Sequence, residues 1–189
     1  MALWSKEKWR EPLLLTVSWL IEASRQSGGV DGGIAFGQIP LEMLAWLAFV
    51  GDRAIVDADE FGNLSAASKM QLLLAQSGIP LSVPSELKTL AKVAAEVQRK
   101  SGKTPTGPQL VTKVRNTIIH PNDKNRKILA EWETNYSVSG SDIRWETYRL
   151  FKWYITLVLL RQIGYSGEYA NRLTHCKIGQ VEPVPWAVS

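Results

Sequence analysis

A single stretch near the middle of the chain, residues 106–122 (TGPQLVTKVRNTIIHPN), carries its own start and stop signals for a helix. Gly107-Pro108 opens it, because proline at the first helical position gives up only an N–H that has no helical partner. His120-Pro121 closes it, because the residue before a proline is pushed out of the α region. Between these limits the stretch predicts one short helix, and apolar residues at helical spacing give it a face to bury: Leu110, Val111, Val114 and Ile118.

The rest of the chain shows helical patterns and no confident strand. Residues 122–141 are polar and weakly patterned, and only 128–132 indicate a helical turn or more. Apolar periodicity with helix-start and helix-stop residues predicts further helices over residues 11–25, 39–50, 65–77, 84–99 and 142–164, with a last short one over 168–173. We therefore expect an all-α helical bundle with short connections.

A glycine-rich stretch divides the chain near its beginning. Residues 27–33 (SGGVDGG) predict a flexible connection, and they do not form a phosphate-binding loop because no Lys-Ser/Thr follows at the required spacing. We expect a helical arm and linker over residues 1–36 and a helical domain over 37–175. The residues that remain, 176–189, contain two prolines and predict an irregular tail.

The amino-acid composition limits both the cellular compartment that we expect and the kinds of metal or disulfide site that the chain can form. Hydrophobic residues make up 45% and charged residues 21% of the chain, which are ordinary values for a globular protein. No uninterrupted apolar run approaches the about 20 residues that span a bilayer. A lone cysteine, Cys176, excludes an internal disulfide and fits a reducing compartment. Two histidines are too few for a zinc site, and the acidic loop at 57–60 lacks calcium ligands at the right positions. We expect a soluble cytoplasmic protein without a metal, a cofactor or a membrane partner.

Positive charge is concentrated around the central helix. The whole chain carries a net charge of +4. Residues 99–127 alone contain eight basic residues and one acidic residue. Two interpretations stay open: a polyanion such as RNA binds here, or the basic side chains are merely solvated. The candidates for RNA contact are Lys113, Lys124, Arg126 and Lys127.

The same region holds a histidine beside an arginine. His120 lies at the predicted helix end, one turn after Asn116 and close to Arg115. An imidazole and a guanidinium without carboxylates suit phosphodiester cleavage by the ribose 2′-OH, since histidine can move the proton and arginine can hold charge on phosphorus. Residue chemistry alone also allows a purely structural interpretation, in which His120 caps the helix and Arg115 is an ion-pairing surface residue.

Residues 115–120 (RNTIIH) resemble the Arg-x4–6-His motif of the HEPN superfamily, including the polar residue after the arginine. Further stretches resemble the HEPN domain of ApeA-like anti-phage proteins: 40–46 (PLEMLAW), 79–80, 107–108 and 163–172 (IGYSGEYANR). The resemblance implies a HEPN-like helical bundle and a metal-independent endoribonuclease in toxin or abortive-infection roles, with a fused or associated sensor or antitoxin partner. Arg115 and His120 would be catalytic and Asn116 their polar support. The alternative is a non-catalytic HEPN module for dimerisation and RNA or nucleotide binding.

The resemblance also implies a homodimer, and helical geometry gives a reason for one. On an ideal helix Arg115 lies roughly 140° around the axis from His120. The two meet within one chain only if His120 leaves the helical register before Pro121. We therefore expect a composite site, built from two copies of the central helix across a twofold axis, also because one histidine cannot easily serve as both base and acid in a single transfer.

Overall fold

The structure, a computed structural model, describes residues 3–25, 28–120, 122–174 and 179–187. It is 71% helical, which confirms the all-α bundle. A 3₁₀ turn (Leu3–Ser5) comes first, a π-helical segment (Leu47–Asp52) continues the second helix, and two strands, β1 (Glu168–Tyr169) and β2 (Glu182–Pro183), pair antiparallel. The helices are α1 (Glu7–Arg25), α2 (Gly29–Trp46), α3 (Ala58–Asn63), α4 (Ala66–Gln76), α5 (Lys88–Ser101), α6 (Gly107–Ile119), α7 (Asp123–Tyr136) and α8 (Gly140–Gln162).

Helix α8 runs through the core and contacts α1, α2, α5, α6 and α7. Several of its side chains are fully buried, among them Leu150, Phe151 and Tyr154. Helix α1 belongs to the same core, since Trp9 and Leu13 are each only 1% exposed and join the central hydrophobic cluster. α1 begins at Glu7, earlier than expected, so that Pro12 lies inside the helix and not in its first turn.

The prediction of a flexible glycine-rich connection is wrong for residues 29–33, which form the first turns of α2. Two glycines of α2, Gly33 and Gly37, serve close packing. A Cβ on Gly33 would lie 2.5 Å from the Tyr148 ring, and one on Gly37 would lie 2.8 Å from Phe151. Because a side chain at either position would overlap α8, glycine lets the two helices approach. A sequence pattern that is typical of a linker is here a helix–helix contact surface.

Three other expectations need correction. Residues 123–136 form a full helix, α7, although their periodicity is weak, because Leu129 and Trp132 are buried against the bundle. The last short helix expected at 168–173 is absent, since β1 occupies 168–169 and pairs with β2. The tail is ordered over 179–187, where Val184 is fully buried; Cys176 lies outside the described residues.

Within the described part, one helix is apolar and long enough to cross a membrane by composition alone, the continuous segment Gly29–Asp52. Its apolar window is 61% buried inside the bundle. Contacts with α1, α4, α6 and α8 surround it, so its composition is that of a core helix in a soluble protein.

Helix α6 has the bounds that its sequence predicts, Gly107 to Ile119. Thr106 caps it: its hydroxyl accepts the Gln109 N–H, and the Gln109 side chain accepts the Thr106 N–H, a capping box. Leu110, Val111 and Val114 are fully buried. The chain enters the helix tightly, because a Cβ on Gly107 would overlap the Tyr154 hydroxyl of α8.

We expect Gly107→Ala to lower the free energy of unfolding by about 1–3 kcal/mol, as overpacking does in a dense core. The Tyr154 hydroxyl is buried without a hydrogen-bond partner, and burial raises the pKa of Tyr154. Tyr154→Phe should therefore cost nothing and should restore part of the stability lost by Gly107→Ala. Urea denaturation of the two single variants and the double variant measures this coupling. Gly62→Ala is the matched control, since a Cβ there meets nothing within 4 Å.

Candidate functional site

The end of α6 brings Arg115 and His120 together within one chain. His120 is the residue that ends the helix, and its backbone (φ −121°, ψ 72°) has left the helical register. Its imidazole therefore turns back toward the preceding turn, and Nε2 lies 3.4 Å from Arg115 Nη1. The expectation of a composite site drew one of its reasons from ideal helix geometry, and the residue that ends the helix departs from that geometry. A site shared by two chains stays a prediction.

Arg115 is a half-buried cation without a counter-ion. Its Nη1 lies 3.5 Å from Asn116 Oδ1, and its Nε is buried without a hydrogen-bond partner. No carboxylate of the described residues lies within ion-pairing distance of it. The interpretation of Arg115 as an ion-pairing surface residue therefore finds no support within the described chain. Its positive charge therefore has no partner among the described residues.

A hydrogen bond between the two side chains requires one particular tautomer of the imidazole. A guanidinium has only donors, so Arg115 and His120 are hydrogen-bonded only when Nε2 is an unprotonated acceptor. The imidazole is then neutral and its proton lies on Nδ1. This is the form in which a histidine accepts a proton, and it stands at an exposed position beside a fixed positive charge.

Two asparagines that the sequence analysis missed hold the backbone of His120. The His120 carbonyl accepts hydrogen bonds from the Asn122 N–H at 2.8 Å and from Asn125 Nδ2 at 2.7 Å. Asn122 also caps α7, since its side chain accepts the Asn125 N–H at 2.9 Å. Asparagine followed by aspartate just after a proline is a helix-start signal, and it could have located both residues.

The candidate RNA-binding residues lie on α6 and α7, the two helices on either side of His120 in the sequence. Lys113 is exposed and lines a groove of about 440 Å³ between the end of α5 and the first half of α6. Lys127 is exposed on α7. Neither forms an ion pair within the described chain. Lys124 and Arg126 lie in the first turns of α7, and their side chains are outside the described part.

Potential metal ligands are not clustered in the part of the chain that the structure describes. No group of three or more His, Cys, Asp or Glu side chains lies close enough there to hold an ion. The described site thus consists of an imidazole, a guanidinium without a counter-ion among the described residues, and an amide. These groups can move a proton and hold an anion.

Fold and site together define a helical-bundle protein with an arginine–histidine pair at a helix end. The chain belongs to the YopA C-terminal domain family, whose model matches residues 6–182. It is similar to the SPbeta prophage-derived uncharacterized protein YopA of Bacillus subtilis (strain 168), with 29% identity over 180 residues. That alignment covers 94% of this chain and 36% of the relative, so the chain spans about a third of the relative's length. No solved structure matches the chain significantly.

Proposed function

We propose that the protein is a metal-independent endoribonuclease in which Arg115 and His120 cleave RNA. The observation that carries the proposal is the 3.4 Å contact between Arg115 Nη1 and the exposed His120 imidazole within one chain. An arginine with no counter-ion among the described residues, beside an imidazole, is a combination that suits phosphodiester cleavage. The basic residues on α6 and α7 supply a surface that attracts the RNA backbone.

In the proposed reaction, His120 removes the proton from a ribose 2′-OH. The 2′-oxygen attacks the adjacent phosphorus, and the bond to the 5′-oxygen of the next nucleotide breaks. Arg115 stabilises the negative charge that develops on the phosphoryl oxygens, and the Asn116 amide oxygen orients the guanidinium. The products are a 2′,3′-cyclic phosphate and a 5′-hydroxyl. DNA is not a substrate, because it has no 2′-OH.

The proton that the 5′-oxygen needs gives a reason for a homodimer. One histidine serves poorly as both base and acid in a single transfer unless it reorients. A second copy of the chain, placed around a twofold axis at α6, would bring a second His120 to the same phosphate. The resemblance of residues 115–120 to the HEPN motif supports the same assembly.

The biological setting is part of the proposal. The similar protein is prophage-derived, and this fits a chain that acts in conflict between phage and host. We place the activity in the cytoplasm, where its RNA substrate lies. Regulation by a fused or associated sensor or antitoxin agrees with the resemblance to anti-phage HEPN proteins.

Incubation of the purified protein with end-labelled RNA in excess EDTA is the direct test. We expect cleavage to persist in the chelator and to leave 2′,3′-cyclic phosphate ends, because the described site uses no metal ligand. Digestion of the product with a phosphatase that acts only on open phosphates distinguishes the cyclic end. Activity that returns only with added Mg²⁺, or equal cleavage of DNA, would contradict the mechanism. Binding of RNA without cleavage would favour the non-catalytic module.

A further inference from the structure

A second polar site lies where two helices end. The C-terminal ends of α4 and α8 and the residue after the π-helical segment surround a cavity of about 530 Å³. Its polar lining consists of Arg53, Gln76, Ser77, Arg161 and Gln162. None of these residues belongs to α6 or α7, so the cavity is separate from the Arg115–His120 pair. Its volume lies in the range of small-molecule sites.

The two arginines of this cavity have no counter-ion in the described chain. Arg53 and Arg161 form no ion pair there. The nearest acid in sequence, Asp52, contacts Lys6 at 2.8 Å and Lys8 at 3.9 Å, and the hydrogen bond from Lys6 lowers the pKa of Asp52. Asp52 is thus already neutralised by other cations. The cavity carries two uncompensated positive charges.

Other side chains hold both guanidinium groups in place. The Gln76 amide oxygen, turned toward Arg53, accepts hydrogen bonds from both terminal nitrogens, with Nη2 at 3.0 Å. The guanidinium carbon of Arg161 lies 5.4 Å from the centre of the Trp186 ring. A fixed arginine loses less entropy when it binds an anion than a free one, so these contacts prepare the site.

Two polar residues with little exposed surface also line the cavity. Ser77 is 2% exposed and Gln162 is 9% exposed. Their side chains can therefore offer polar groups to water or to a ligand in the cavity.

The free carbonyls at the C-terminal ends of α4 and α8 do not by themselves explain why two arginines line this cavity. Basic residues often compensate the free carbonyls at a helix C-terminus. Here backbone N–H groups already pair with carbonyls of the last turns: Ile79 with Leu74, Gly78 with Ala75, and Tyr165 with Leu160. Each helix end contributes a partial negative charge of about half a unit, which two full guanidinium charges exceed.

We propose that this cavity binds a phosphomonoester of mononucleotide size, with Arg53 and Arg161 on the phosphate and with Ser77 and Gln162 bonded to the polar body of the ligand. Arginine is suited to phosphate because its planar fork donates two parallel hydrogen bonds. A free mononucleotide and the 5′-phosphate end of a nucleic acid strand share this chemistry.

Isothermal titration of the full chain with AMP, adenosine, and a 5′-phosphorylated or 5′-hydroxyl deoxyoligonucleotide tests the proposal. We expect the phosphorylated member of at least one pair to bind once per chain, and its partner to bind at least about tenfold more weakly, as loss of charge-assisted hydrogen bonds predicts. Binding of AMP identifies a free nucleotide as the source, and binding of the oligonucleotide alone identifies a strand end. If neither phosphorylated probe binds, the proposal is wrong.

Variants separate the cavity from other basic surfaces. Arg53→Ala and Arg161→Ala should each weaken binding about ten- to a hundredfold. Gln162→Glu, which puts a negative charge into the cavity with little change of shape, should weaken it as well. Arg25→Ala is the control, because Arg25 pairs with Glu22 on the outer part of α1. Undiminished binding by Arg53→Ala and Arg161→Ala, or loss of binding in Arg115→Ala, would overturn the assignment.

Discussion

His120→Ala and Arg115→Ala are each expected to lower the rate of RNA cleavage by about 10²–10⁴-fold, the range for loss of a general base or of a transition-state donor. Neither change should unfold the protein. His120 is exposed, and Arg115 has no ion pair to lose within the described chain. Single-turnover cleavage rates and thermal melting, measured on the same preparations, separate the two effects. A variant that loses activity because it unfolds would make its residue structural and would remove it from the site.

The matched variants sharpen this test. Arg115→Lys keeps the charge but loses the planar fork, so partial activity is expected. Arg99→Ala is a control of equal charge, since Arg99 is paired with Glu96 on an exposed face of α5. Mixing inactive Arg115→Ala and His120→Ala chains should restore no cleavage, because no chain then holds both members of the 3.4 Å pair. Restored cleavage would show that the arginine and the histidine act across a dimer interface.

The sequence predicts the elements whose signals are local. Helix α6 begins and ends where its proline and glycine punctuation indicates, and α4 lies between its capping residues Ser65 and Ser77. Met70, Leu73 and Leu74 are fully buried as their spacing predicts. In these segments the cap, the apolar period and the helix end all favour the same state, and tertiary contacts only reinforce it.

The errors come from residues whose role depends on a distant part of the chain. Gly33 indicates a linker until α8 is known to lie against it. The side-chain geometry of His120 depends on a break in helical register, and that break is held by Asn125, a residue of the next helix. Likewise the cavity at the ends of α4 and α8 unites Arg53 and Arg161, which are far apart in sequence. Periodicity within one segment contains none of this information.

The N-terminal end of α5 is the clearest case of a helix that is capped by a side chain from another helix. The sequence predicts a start near residue 84 with Glu86 in the first turn, but α5 begins at Lys88 and its own preceding residue, Leu87, supplies no side-chain cap. Glu146 of α8 supplies it: its carboxylate accepts the Thr89 N–H at 3.1 Å and the Leu90 N–H at 2.8 Å. Glu146 is only 9% exposed, and Leu90, whose N–H it accepts, is fully buried.

Glu146→Ala is therefore expected to lower the free energy of unfolding by about 2–4 kcal/mol, because the buried Leu90 amide and the partly buried Thr89 amide lose a charged acceptor at a positive helix end. Glu146→Gln keeps one carbonyl oxygen and should lose about half as much. Glu131→Ala, at an exposed position on α7, should stay within about 0.5 kcal/mol of the wild type. Urea denaturation gives the three values, and amide hydrogen exchange at Thr89 and Leu90 locates the effect, since only those protons lose their acceptor. If Glu146→Ala is as stable as Glu131→Ala, the carboxylate does not hold α5 to α8.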